Sequence, residues 1–186
     1  MDGIRNTEHS WGAPARVFHW LMAVLVLAQI GLGWAAASWR LSPLKLNLFV
    51  WHKSIGMVIL MVASIRILWR LANVTPALPD GTPRWERRAA RWSHALLYLA
   101  LIAMPVTGWI VNSAAGIPFR IFWLAPLPAI VAPDKEIAGL AAAAHFGLFV
   151  LLSLLLLVHV AAALRHHFVR HNDVLTRMLT GAGKGR

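Results

Sequence analysis

Nine histidines and no cysteine define the chemistry open to this chain. Without cysteine there are no disulfides, thiolate metal sites, iron–sulfur clusters or covalently attached c-type haems. Imidazole is the one plentiful strong metal ligand, at positions 9, 19, 52, 94, 145, 159, 166, 167 and 171. His145 and His159 are fourteen residues apart. On a helix that separation is four turns less about 40°, so both rings face one side, about 21 Å apart along the axis. One helix can then offer one axial ligand to each of two flat iron macrocycles at different depths. Each macrocycle needs a second ligand, and His19, His52 and His94 are the candidates. Structural zinc is a poorer fit, because it wants four ligands converging at about 2 Å.

Arg66 follows His52 by fourteen residues and should face the same interior. A buried arginine needs an anion, and the apolar segments hold no acid. A haem propionate would accept its bidentate hydrogen bonds; the other reading is an arginine snorkelling to lipid headgroups. Arg16, three residues before His19, is a further propionate candidate. Gly33, Gly56 and Gly108 fall at helical spacings from His19, His52 and His94, where a missing side chain would let a macrocycle approach the backbone. Each could equally be a helix-packing glycine.

The elements that must position these residues are membrane spans. Of the 186 residues, 59% are hydrophobic and 13% charged, against about 25% charged in soluble domains. Four segments approach the roughly 20 apolar residues that cross a bilayer: about 17–38, 49–71, 92–113 and 137–164. Ala35-Ala36-Ala37 resembles a signal-peptide cleavage site, but the apolar run before it exceeds the roughly 7–15 residues of a signal core. Residues 72–91, with Pro76, Pro79, Gly81 and Pro83, read as a loop. The apolar, proline-rich segment 114–136 reads as a piece lying on the membrane or capping the helices. The expected fold is all-α: one domain over 1–186, an integral membrane four-helix bundle with two haems stacked across the bilayer.

On this frame His52 and His145 share one depth, and His159 shares the other with both His19 and His94. Depth alone pairs His52 with His145 and leaves the partner of His159 open. The chain carries 18 Lys and Arg against 7 Asp and Glu, clustered at the ends of the apolar runs. The positive-inside rule then puts both termini, Lys184 and Arg186 included, and the 72–91 loop in the cytoplasm. The implied location is the bacterial inner membrane, multi-pass. No nucleic-acid motif accompanies the charge.

Four pieces together resemble the bacterial cytochrome b561 family and, more distantly, the cytochrome b subunits of nickel–iron hydrogenases and formate dehydrogenase. They are Arg16-Val-Phe-His19-Trp20; the His52-to-Arg66 spacing; His94-Ala-Leu-Leu-Tyr98 leading into Met104-Pro105-Val106-Thr107-Gly108; and His145 followed by His159-Val-Ala-Ala-Ala-Leu-Arg-His-His167 and Asn172-Asp173-Val-Leu-Thr-Arg177-Met178. The resemblance covers nearly the whole chain. It implies two b-type haems with bis-histidine ligation, His19 with His159 and His52 with His145. His94 would then be a propionate contact, a quinone contact or a boundary residue. Small stand-alone members exchange electrons with ubiquinone, and some take an electron from superoxide. Lys53 and Lys135, with Arg120 and Lys45, could attract that anion or simply touch headgroups; His166 and Lys135 are quinone candidates. The expected partners are lipid, quinone, and superoxide or a redox protein. Two rival readings are an electron-transfer subunit of a hydrogenase or other dehydrogenase, and a non-haem transporter or sensor.

Overall fold

A computed structural model describes residues 3–181; Lys184 and Arg186 lie outside them. In chain order the elements are α1 (Ala13–Ser38), α2 (Pro43–Leu71), α3 (Arg84–Ala114), β1 (Phe119–Ile121), β2 (Ala125–Leu127), α4 (Lys135–Phe168) and α5 (Val174–Thr180). The four long helices are long and apolar enough to cross a membrane. Val24, Leu27, Leu154 and Leu157 are each more than half exposed on them. Such a surface suits hydrocarbon, where helices satisfy their own backbone groups.

All four long helices begin before their apolar runs, α2 and α3 by the most. α2 starts at Pro43 and α3 at Arg84. Hydropathy marks where a helix enters lipid, whereas arginine and tryptophan extend a helix into the headgroups at little cost. The loop expected over 72–91 therefore ends at Pro83. Proline at the first helical position suits α2, because it lacks an N–H there, and the Ser42 hydroxyl accepts from Lys45 N (3.3 Å). Asp134 caps α4, accepting from the backbone of Glu136 (2.8 Å) and Ile137 (3.0 Å).

The chain divides into two compact units: Met1–Leu21, Ser64–Leu99 and Leu152–Arg186 in the first; Met22–Ala63 and Ala100–Leu151 in the second. The first unit is laced by polar contacts outside the apolar runs. Buried Asn6 donates to Val74 O (2.9 Å) and accepts from Gly12 N (2.9 Å). Buried Glu86 takes Arg170 at 2.9 Å and Arg165 at 3.2 Å. α5 docks through its carbonyls: Arg16 donates to Leu179 O (3.1 Å) and Trp20 Nε1 to Met178 O (3.0 Å). Arg177 pairs with Asp173 (2.9 Å) and donates to Ala77 O (3.0 Å).

In the second unit the segment between α3 and α4 contains a small antiparallel hairpin, β1 on β2, in the register Phe119↔Leu127, Arg120↔Pro126 and Ile121↔Ala125. Its turn holds Phe122 (φ 47°) and Trp123 (φ 62°) in the left-handed region, which costs non-glycine residues conformational energy. Trp51 packs against both rings, at 5.5 and 5.7 Å. Ser54, fully buried, accepts the N–H of Phe122 (2.8 Å). Arg120 donates to Trp123 O (3.0 Å) and Leu124 O (2.6 Å). These contacts hold the turn against its strain. Ser54→Ala leaves the Phe122 N–H without its acceptor, so it should cost about 1 kcal/mol, lowering the unfolding midpoint by about 2–4 °C; a thermal melt against the parent protein checks this.

Candidate functional site

Each unit brings histidines of different helices together. In the second unit His52 of α2 meets His145 of α4, ring centroids 6.3 Å apart and planes at 77°. In the first unit His19 of α1 meets His159 of α4 at 6.1 Å and 53°. His94 of α3 also approaches His159, at 5.5 Å. A metal–imidazole bond is about 2 Å, and the ligating nitrogen lies about 1 Å from the ring centre. Two rings on opposite faces of one iron therefore stand about 6 Å apart, centre to centre. The His52–His145 and His19–His159 spacings match that figure, and the His94–His159 spacing falls short of it. Among the described residues no group of three or more histidines and acids gathers around one metal position.

The rings must also present the correct nitrogen. His145 Nδ1 lies 3.0 Å from Met104 O and 3.0 Å from Thr107 Oγ1. A carbonyl can only accept, so Nδ1 carries the proton and Nε2 keeps its lone pair for a metal. Thr107 also donates to Met104 O (2.9 Å). α3 runs through Pro105, which has no N–H to give to the Leu101 carbonyl one turn back. The carbonyl that accepts from His145 belongs to Met104, the residue just before that proline.

His52 is held differently. Gln29 donates to the His52 carbonyl (2.7 Å). His52 Nδ1 and Gln29 Oε1 are both buried without a hydrogen-bond partner. A ring N–H and an amide oxygen are complementary, and these belong to residues already in contact. Gln29 is the chain's single glutamine and lies inside an apolar span. A lone polar amide in an apolar span is itself a signal of a functional or supporting role.

Glycines make room for the rings. A Cβ on Gly33 would come within 2.8 Å of His52 Cε1, and one on Gly108 within 3.2 Å of His145 Cε1. One on Gly56 would meet the Gln29 amide at 3.4 Å. So these glycines abut ligand candidates and their support, Gly33 on His52 and Gly108 on His145.

In the first unit Arg66 Nη2 lies 3.0 Å from His19 Nδ1. Guanidinium can only donate, so Nδ1 accepts and the neutral ring carries its proton on Nε2. Ligation through Nε2 requires the opposite tautomer. Arg66 must then turn its donors to another acceptor, such as a carboxylate. Arg66 and Arg70 both lie over the Tyr98 ring, at 5.4 and 5.6 Å. Trp20 stands edge-on to His19 at 5.2 Å. The fit to a haem is therefore direct at His52–His145, and at His19–His159 it is conditional on Arg66.

The remaining candidates fall elsewhere. Arg16 serves α5, as described. Lys53 donates to Asn112 (2.6 Å) and lies over Phe119 at 5.5 Å. Lys135 is exposed at the start of α4. His166 has Asn172 on Nδ1 (2.8 Å) and Glu86 3.9 Å from Nε2.

A family model described as prokaryotic cytochrome b561 matches residues 10–181. The chain is 36% identical over 181 residues to cytochrome b561 homolog 2 of Escherichia coli K12, covering 94% of this chain and 93% of that protein. It is 25% identical over 128 residues to cytochrome b561 homolog 1 of the same organism, covering 69% and 72%. It is 27% identical over 164 residues to a probable superoxide oxidase CybB of Yersinia pestis, covering 87% and 90%.

The glycine contacts yield a graded test. Gly33→Ala should displace the His52 ring and strongly reduce haem bound per chain, whereas Gly108→Ala, with its longer contact, should reduce it less. Haem-to-protein ratios of the two purified variants check the order.

Proposed function

We propose, because the chain belongs to the prokaryotic cytochrome b561 family, that this membrane electron-transfer protein holds two b-type haems and passes electrons from a periplasmic one-electron donor to ubiquinone. The single observation that supports the two-haem reading is the pair of imidazole contacts at 6.1 and 6.3 Å, one in each unit. A haem ligated by two histidines supplies reversible one-electron chemistry. The protein's own residues do the rest. His52 and His145 would bind one haem and His19 and His159 the other. Met104 O would hold the His145 proton at Nδ1, and Gln29 would orient His52. Arg66 would give its donors to a propionate, which frees His19 Nδ1 to carry the proton that ligation requires. His94, packed against His159, would exclude water from that ring and remain outside the ligand set.

Superoxide is the donor we favour, supported by the likeness to the Yersinia protein. Each superoxide would lose one electron and leave as dioxygen. Two such electrons with two protons would convert one ubiquinone to its quinol. Lys53 and Lys135 would raise the local concentration of the anion, placing their side of the inner membrane toward the periplasm and both termini toward the cytoplasm. His166 would belong to the quinone side.

Ligand assignment is read by counting haems. The parent protein should carry two per chain; His145→Ala and His19→Ala should each retain one, and His94→Ala should retain both. A haem lost from His94→Ala but kept in His19→Ala would reassign the partner of His159. The donor is tested by supplying superoxide and a soluble ubiquinone analogue to the purified protein. Quinol formation above the uncatalysed rate is expected. Its failure, with haems intact, would favour service as the cytochrome subunit of a dehydrogenase.

A further inference from the structure

At the start of α3, Arg84, Arg87, Arg88 and Arg91 border one shallow, open hollow on the surface, and all four are exposed. Their spacing sets them on one helix face, where like charges repel. The acids nearby cannot balance them. Glu86 is buried and turned to Arg165 and Arg170, and Asp80 carries a single charge. Residues 80–91 thus hold four positive and two negative side chains. Arg87 spends its Nε on Thr82 O (2.9 Å), which fixes that guanidinium at the hollow rather than neutralising it.

The surface next to the arginines decides which anion suits them. One turn along the same face the helix exposes Trp92 (70%) and, two turns further, Leu99 (63%). Trp85, between the arginines, is also open. Tryptophan favours the headgroup level of a bilayer. A cationic patch followed along the helix by exposed Trp92 and Leu99 matches a molecule with a phosphate at one end and hydrocarbon at the other. A soluble phosphate or a nucleic acid would leave these two side chains uncovered.

We propose that the Arg84–Arg91 face is a binding site for an anionic phospholipid, with the phosphate on the arginines and an acyl chain along Trp92 and Leu99. Arg91 lies one turn before His94 and Arg88 nearly two, so haem content is followed beside lipid retention in every variant. Guanidinium pairs bind phosphate oxygens in a fork that ammonium does not match, so the site should prefer charge and geometry together.

The experiment uses the full-length holoprotein, delipidated in detergent, with lipid retention followed by native mass spectrometry. Phosphatidylglycerol should be retained and phosphatidylcholine should not. Each arginine near a membrane surface contributes a factor of about five in binding. Arg88→Gln should therefore weaken retention about fivefold, and the triple variant Arg87→Gln, Arg88→Gln, Arg91→Gln should abolish the preference, with haem content unchanged. Equal retention of the two lipids, unchanged retention in Arg88→Gln, or displacement of phosphatidylglycerol by equimolar inorganic phosphate would each overturn the proposal. If the triple variant fails to fold, the single variant decides.

Discussion

A histidine inside a membrane span has two ring nitrogens to satisfy where there is no water to do it. Five such histidines, at 19, 52, 94, 145 and 159, lie in the apolar stretches of the four long helices, and their surroundings are built around that demand. His145 hands one nitrogen to a backbone carbonyl beside Pro105. His52 keeps company with the one glutamine. His19 borrows a donor from Arg66. In the His52–His145 and His19–His159 pairs the ring spacing matches what one iron held between two imidazoles requires. The same demand accounts for Gly33 and Gly108, whose missing side chains leave space for the rings.

The parts outside the apolar stretches serve stability in a different way. Ionic and backbone contacts gather where the helices leave lipid: Glu86 with two arginines, Asn6 with the 72–83 loop, and α5 held by Arg16 and Trp20. The hairpin after α3 keeps two left-handed aromatic residues in place through Ser54, Arg120 and Trp51. In each case a polar group with no partner in its own element finds one in another, and so ties chain ends and loops to the long helices.

Much of this could be read from the sequence, for identifiable reasons. Long apolar runs identify spans because bilayer thickness sets their length. The fourteen-residue interval between His145 and His159 reports a shared face, because helical geometry is fixed. Element ends were less legible: α3 extends back to Arg84 because its first turns are basic rather than apolar. The hairpin was hidden, since strands of three residues carry almost no periodic signal. Contact partners were hidden too. Spacing relates Arg66 to His52 along α2, and its hydrogen bond goes to His19 on α1; spacing relates Gly33 to His19 along α1, and it packs on His52 of α2. Spacing along one helix says which face a residue shares, and says nothing of what the neighbouring helix sets against it.

Paired imidazoles are proposed to hold two low-spin, six-coordinate haems. Electron paramagnetic resonance of the oxidised protein tests this most directly, with integration against haem content. Two low-spin ferric signals of equal weight and no high-spin iron are expected. A high-spin signal in the intact protein, or a single low-spin signal amounting to one haem per chain, would contradict that ligation.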